Sequence, residues 1–146
     1  MRLPSLPAGT RWGNFPTTAD TGVWARSTTV NGLFGALGTG MFAVMTDLRR
    51  VVPRERREVR ATGSDPNSLV VAFLSELIVL EDTERFVARR VVAQVRLGPA
   101  PSVTGTAYGE PWDPERHLRR KEVKAVTLHG LDVRRNPPSA RVILDI

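Results

Sequence analysis

The apolar positions of the chain follow two periods. Leu69, Phe73, Leu77 and Leu80 recur three or four apart, as do Val70, Leu74 and Ile78, which is helical spacing. Asp65-Pro66 supplies an N-cap followed by proline at the first helical position. The run over residues 68–80 is too short to cross a bilayer, which takes about 20 apolar residues. A helix apolar on nearly every face belongs at the centre of a domain. Its one charge is Glu76, whose carboxylate calls for a basic partner, a wet edge or a functional site. After Glu81-Asp82 the period drops to two. Val91, Ala93, Val95 and Leu97 alternate with Val92, Gln94 and Arg96, predicting a long strand reached through a tight turn.

A second helical pattern carries Val30, Leu33, Phe34, Leu37, Met41, Val44 and Met45, capped by Thr28 or Thr29. Gly32, Gly35, Gly38 and Gly40 weaken it by up to about 1 kcal/mol each, and they admit close packing on a neighbouring helix. The glycines lack the GxxxxGK[ST] pattern of a phosphate loop. Short strands are predicted at residues 23–25, after a small polar loop at 17–20, and at 55–61, where charges suit a sheet edge. Three more strands fall at 102–110, 122–133 and 140–146, with turns at 98–101 and 136–139. Residues 111–121 read as a long polar loop, a moving or binding segment. Residues 1–13 read as an irregular lead-in, leaving 14–146 as the domain. The order predicts a single α+β domain: two helices packed on one face of a largely antiparallel, roughly six-stranded sheet.

Composition narrows the chemistry. The 146 residues suffice for one domain with a core, and the absence of Cys excludes disulfides, thiolate zinc sites and cysteine nucleophiles. His117 and His129 lack ligand spacing to a third group, and neither HExxH nor a supported Ser-His-Asp pattern occurs. The formal charge of +6 permits contact with nucleic acid or an acidic protein without demanding it. No RNA-binding signature with interleaved aromatics appears along the sequence. With neither a secretory signal nor a membrane segment, a cytoplasmic setting is expected. What remains is a set of oxygen donors: Asp20 at the start of the first strand, and Asp145 with the terminal carboxylate of Ile146 at the end of the last. If those strand ends meet, they would suit Ca²⁺ or Mg²⁺.

Four segments in this order resemble the archease family: Thr18-Ala19-Asp20 with Thr21-Gly22; residues 74–82; Gly109-Glu110 through Val123-Lys124-Ala125-Val126-Thr127 and His129; and the closing residues 142–146. Thr17 stands where the family usually has His, Phe73 where it has Trp, Ser75 where it has Asn, and Leu128 where it has Tyr. These departures are expected to flank the site. The resemblance implies a non-enzymatic activator of the RtcB-type, GTP-dependent RNA ligase of tRNA splicing. It would promote guanylylation of the ligase's active-site histidine and multiple turnover. It further implies a divalent ion, calcium, held by Asp20 and Asp145 with Ile146 adding an oxygen. Lys124, on a strand, would serve ligase activation at the same sheet end, with Glu76 as a further candidate. Two alternatives stand beside it: a chaperone-like protein-binding module without a ligase partner, and a small metal-dependent hydrolase, for which the sequence offers no convincing general base.

Overall fold

The computed structural model describes residues 2–17 and 20–146. Strand β1 (Arg11–Pro16) turns into β2 (Thr21–Arg26), followed by helix α1 (Val30–Met45) and a 3-10 turn at Leu48–Arg50. Then come β3 (Glu55–Thr62), helix α2 (Pro66–Glu84), β4 (Phe86–Arg96), β5 (Ser102–Pro111), β6 (Ala125–Arg135) and β7 (Pro138–Asp145). The α+β class, the two helices and the antiparallel pairing stand. The described strands number seven and divide between two sheets, β1-β2-β7-β6 and β3-β5-β4. The added strand is β1, which begins inside the expected lead-in. Trp12 and Phe15 fall on opposite faces of this short, partly exposed segment, which leaves no alternation to read.

Local chemistry starts both helices. Thr29 Oγ1 accepts the Gly32 N–H at 2.9 Å. Asp65 accepts the Ser68 N–H at 2.8 Å, and Ser68 Oγ accepts the Asp65 N–H at 3.1 Å in return, with Pro66 opening the first turn. α2 runs on through Glu81-Asp82 to Glu84. It ends at Arg85, whose φ of 52° puts it in the left-handed region and reverses the chain into β4. No described helix is long and apolar enough to cross a membrane.

α1 is buried on almost every side because both sheets touch it: β1, β2 and β7 of one, β4 of the other. Its glycines serve chiefly this strand contact. A Cβ on Gly35 would lie 2.9 Å from the Val91 carbonyl oxygen. One on Gly38 would lie 2.9 Å from Val91 Cγ1 and 3.0 Å from Leu77 of α2. The approach lets α1 side chains take up backbone groups of β4. The Thr39 hydroxyl accepts the Val91 N–H at 3.0 Å and donates to the Gly35 carbonyl at 2.8 Å, and Asn31 Oδ1 accepts the Val95 N–H at 2.7 Å. Phe34 and Phe73 meet between the helices at 5.7 Å.

Thr39 is 2% exposed, so its loss strands a buried donor. Thr39→Val is expected to lower the free energy of unfolding by about 1–3 kcal/mol. Urea denaturation reads this as a lower midpoint at unchanged slope, and an unchanged midpoint would show that the Val91 N–H finds another partner.

Candidate functional site

The last strand lies inside its sheet, between β2 and β6. Thr21 pairs with Leu144, and Ala125 pairs with Asp145. Asp20 and Asp145 each stand one residue beyond the first of these pairs. The Asp20 position is fixed by the chain reversal before β2: the Thr17 N–H donates to the Asp20 carbonyl at 3.3 Å, and the Asp20 N–H donates to Thr17 Oγ1 at 3.0 Å. Thr18 and Ala19, part of the expected loop, lie outside the described residues. Asp145 is exposed and Asp20 half-exposed, and neither carboxylate takes part in an ion pair among the described residues.

Lys124 reaches the same sheet end. It stands just before β6 rather than within it, and its N–H donates to the Asp145 carbonyl at 2.8 Å. Ala125 is also the register partner of Asp145, so two neighbouring residues address one aspartate. Lys124 lines a cleft with Ile78, Val79, Glu81, Asp82 and Glu122. Asp20, Asp145, Ile146 and Lys124 thus gather at one end of the four-stranded sheet. Glu76 differs: it is exposed on α2, and no described hydrogen bond or ion pair joins it to this group. The buried carboxylate of α2 is Glu81, 4% exposed, which sequence reasoning placed in a turn. Of the four departures, Thr17 closes the turn before Asp20. Phe73 is a core residue, Ser75 is half-buried on α2, and Leu128 is 74% exposed on β6.

The donors are all hard oxygens, which suits calcium or magnesium. Among the described residues no group of three or more His, Asp or Glu is arranged around one point. A cation here would therefore rest on two carboxylates, backbone oxygens and water.

The polar segment after β5 is fastened at several points, contrary to the expectation of a moving segment. Glu110, fully buried, receives the Val52 N–H at 2.7 Å, Arg54 at 3.0 Å, both ends of the Arg116 guanidinium at 2.6 and 3.0 Å, and His117 Nε2 at 2.9 Å. His117 Nδ1 accepts the Asp113 N–H at 2.9 Å, so the ring donates to Glu110 from Nε2. Further on, Glu81 accepts Trp112 Nε1 at 3.1 Å and Arg119 at 3.3 Å, while Arg119 stacks over the Trp112 ring at 4.1 Å. Thr46 donates to the Leu118 carbonyl at 2.8 Å, and the Arg120 N–H donates to the Met45 carbonyl at 2.7 Å. Sequence reasoning missed these roles of Glu110, Glu81 and His117. The available signal was a glutamate ending an apolar strand with Arg116 and His117 following within seven residues.

The Archease protein family (MTH1598/TM1083) matches residues 12–146. The chain belongs to the archease family. A protein archease of Thermococcus gammatolerans is 38% identical over 130 residues, 87% of this chain and 90% of its own length. The protein archease of Methanothermobacter thermautotrophicus is 38% identical over 135 residues, 90% of this chain and 96% of its own. The solution structure of Methanobacterium thermoautotrophicum protein 1598 superposes with a TM-score of 0.75 at 36% identity, covering 92% of this chain and 98% of that one. The archease match takes in β1 from Trp12 onward, together with both strand ends of the site.

Burial pushes the Glu110 carboxyl upward. The bonds from Arg116, the Val52 N–H and His117 together outweigh it and bring the group down from its ordinary 4.5 to about 2. A carboxyl lowered on folding stabilises the protein above its unfolded value, and that contribution fades as pH falls through the folded one. Unfolding temperature should therefore drop between about pH 5 and pH 2. Glu110→Gln is expected to be less stable at neutral pH and to show a shallower acid limb. Parallel acid limbs in the two proteins would contradict this assignment.

Proposed function

We propose that this chain is a non-enzymatic activator of an RtcB-type, GTP-dependent RNA ligase, working through a divalent-cation site at the sheet end. Membership of the archease family across residues 12–146 carries the reading. The gathering of Asp20, Asp145, Ile146 and Lys124 from positions far apart in the chain supports it. In this reading Asp20 and Asp145, with an oxygen of Ile146, hold calcium. A bound divalent ion would supply a positive centre able to orient and neutralise phosphate oxygens.

The chain's own groups divide the remaining work. Strand pairing up to Thr21 and Leu144 brings the two aspartates near each other along the backbone, so little chain entropy would be lost in assembling them around a cation. Lys124, whose backbone N–H meets the Asp145 carbonyl, would bring a compact ammonium to this sheet end, suited to meet a phosphate or carboxylate of the ligase–nucleotide complex. The neighbouring strap, tied down through Glu110 and Glu81, holds the approach to Lys124 in one conformation. Activation then means guanylylation of the ligase histidine with restored turnover, and the chain contributes position and charge. A cytoplasmic setting goes with such a partner.

Asp145→Ala is expected to abolish calcium binding by calorimetry and to remove stimulation of ligase guanylylation, at an unchanged melting temperature. Calcium binding equal to wild type would refute the metal assignment. Lys124→Ala is expected to keep calcium binding and the fold, since replacing an exposed lysine usually costs no more than about 0.5 kcal/mol. It is expected to lose activation, with Lys124→Arg restoring little. Full activation by Lys124→Ala would make this lysine a bystander.

A further inference from the structure

A cavity of about 440 Å³ opens between the end of α1, the 3-10 turn, β1 and β4. Arg49, Arg89, Arg90 and Arg120 line it with Asp47, and Trp12 contributes an aromatic wall. None of Asp20, Lys124, Asp145 or Ile146 lines it.

The arginines are there because β4 is irregular at this point. Ala88 pairs with Gly109 and Arg90 with Tyr108, so Arg89 is an extra residue in the strand. In a regular strand neighbouring side chains go to opposite faces, whereas a bulge re-aims one of them. Arg89 and Arg90 consequently both border one cavity. Each is half-buried, and each is held by a backbone carbonyl: Arg89 by that of Leu48 at 2.6 Å, Arg90 by that of Pro4 at 2.7 Å. Among the described residues neither meets a carboxylate. Burial lowers the affinity of Arg90 for its proton, and the charge of Arg89 lowers it further, the mark of a cation without a counterion.

The one acid on the wall is already engaged. Asp47 takes the Arg49 N–H at 3.0 Å and two contacts from its guanidinium, at 3.0 and 2.8 Å. Arg120 is anchored by its backbone N–H to Met45, and its guanidinium donates no hydrogen bond among the described residues. Arg89, Arg90 and Arg120 are therefore three positive charges beside one cavity, each with N–H donors to spare.

From this convergence we infer that the cavity is a binding site for a phosphate monoester or oligophosphate group. Three guanidinium groups match a ligand with several negative charges and oxygens on more than one side, which a single carboxylate lacks. The volume lies in the range that encloses a nucleotide-sized ligand, and Trp12 offers a surface on which a base can stack. The group can belong to a free nucleotide or to a phosphorylated RNA end. The inference does not rest on the ligase reading, because its residues and its binding test are separate from the sheet-end site.

Calorimetry on the full chain tests it with four probes: inorganic pyrophosphate, adenosine triphosphate, a 5′-phosphorylated RNA decamer and the same decamer without its phosphate. Saturable one-to-one binding of pyrophosphate is expected. Arg90→Gln and Arg120→Gln should each weaken it about tenfold or more. Arg134→Gln, altering a residue paired with Asp132 on β6, should leave it unchanged. Arg120 is exposed, so its variant keeps the test valid even where Arg90→Gln lowers the melting temperature. Preference for the phosphorylated decamer assigns the site to RNA ends, and tighter binding of adenosine triphosphate assigns it to free nucleotides. Absence of saturable pyrophosphate binding would overturn the inference, as would unchanged affinity in Arg120→Gln. So would an equal loss in Arg134→Gln, which marks diffuse attraction to a chain of net charge +6.

Discussion

The open edge of β4 is the constraint on which the architecture turns. β4 is the outer strand of the sheet β3-β5-β4, and one row of its backbone groups points away from β5. A buried edge left without partners costs free energy at every donor. Here α1 lies along it, with Thr39 and Asn31 accepting the Val91 and Val95 N–H groups. Only a helix stripped of side chains at Gly35 and Gly38 comes close enough. With one flank committed to β4, α1 turns its other flank to β1, β2 and β7, which joins the second sheet to the first. The helix propensity given up at the glycines is offset by sealing the edge and packing both flanks.

A second level of order rests on two carboxylates. Glu110 and Glu81 are buried acids, and such groups persist only where donors surround them. Each draws donors from the chain following β5: Arg116 and His117 for Glu110, which also takes the Val52 N–H and Arg54, and Trp112 and Arg119 for Glu81. A stretch rich in charge and proline is thereby drawn across the ends of both helices. It leads without further secondary structure into Lys124 beside Asp145.

Both helices, their caps and most strands were legible in the sequence, because Leu69, Phe73 and Leu77, or Val91, Ala93 and Val95, report burial through spacing alone. β1 was not legible, since Arg11–Pro16 is short and partly exposed, sets Trp12 and Phe15 on opposite faces, and owes its extended form to pairing with β2. The division into two sheets was equally hidden, because strand order depends on contacts that no local period encodes. Family motifs brought Asp20, Asp145, Ile146 and Lys124 onto one page, and strand register brings them to one sheet end. Glu76 drew notice as the lone charge in an apolar run, yet it is exposed, while Glu81 one turn later carries the burial. Spacing cannot tell which of two glutamates on one helix meets an indole and a guanidinium from a distant loop.

The place of β7 has a consequence for how the molecule comes into being on the ribosome. The seventh strand in chain order is an interior strand, and it must enter between β2 and β6. Until it emerges, β2 and β6 each present an unpaired edge, and the apolar flank of α1 lacks Val142 and Leu144 above it. Vectorial synthesis therefore delivers the closing element last. The four-stranded sheet cannot close before β7 is available, and only that insertion brings Asp145 near Asp20. A nascent chain can own a complete α1–β4 unit while the ends of β2 and β7 are still apart.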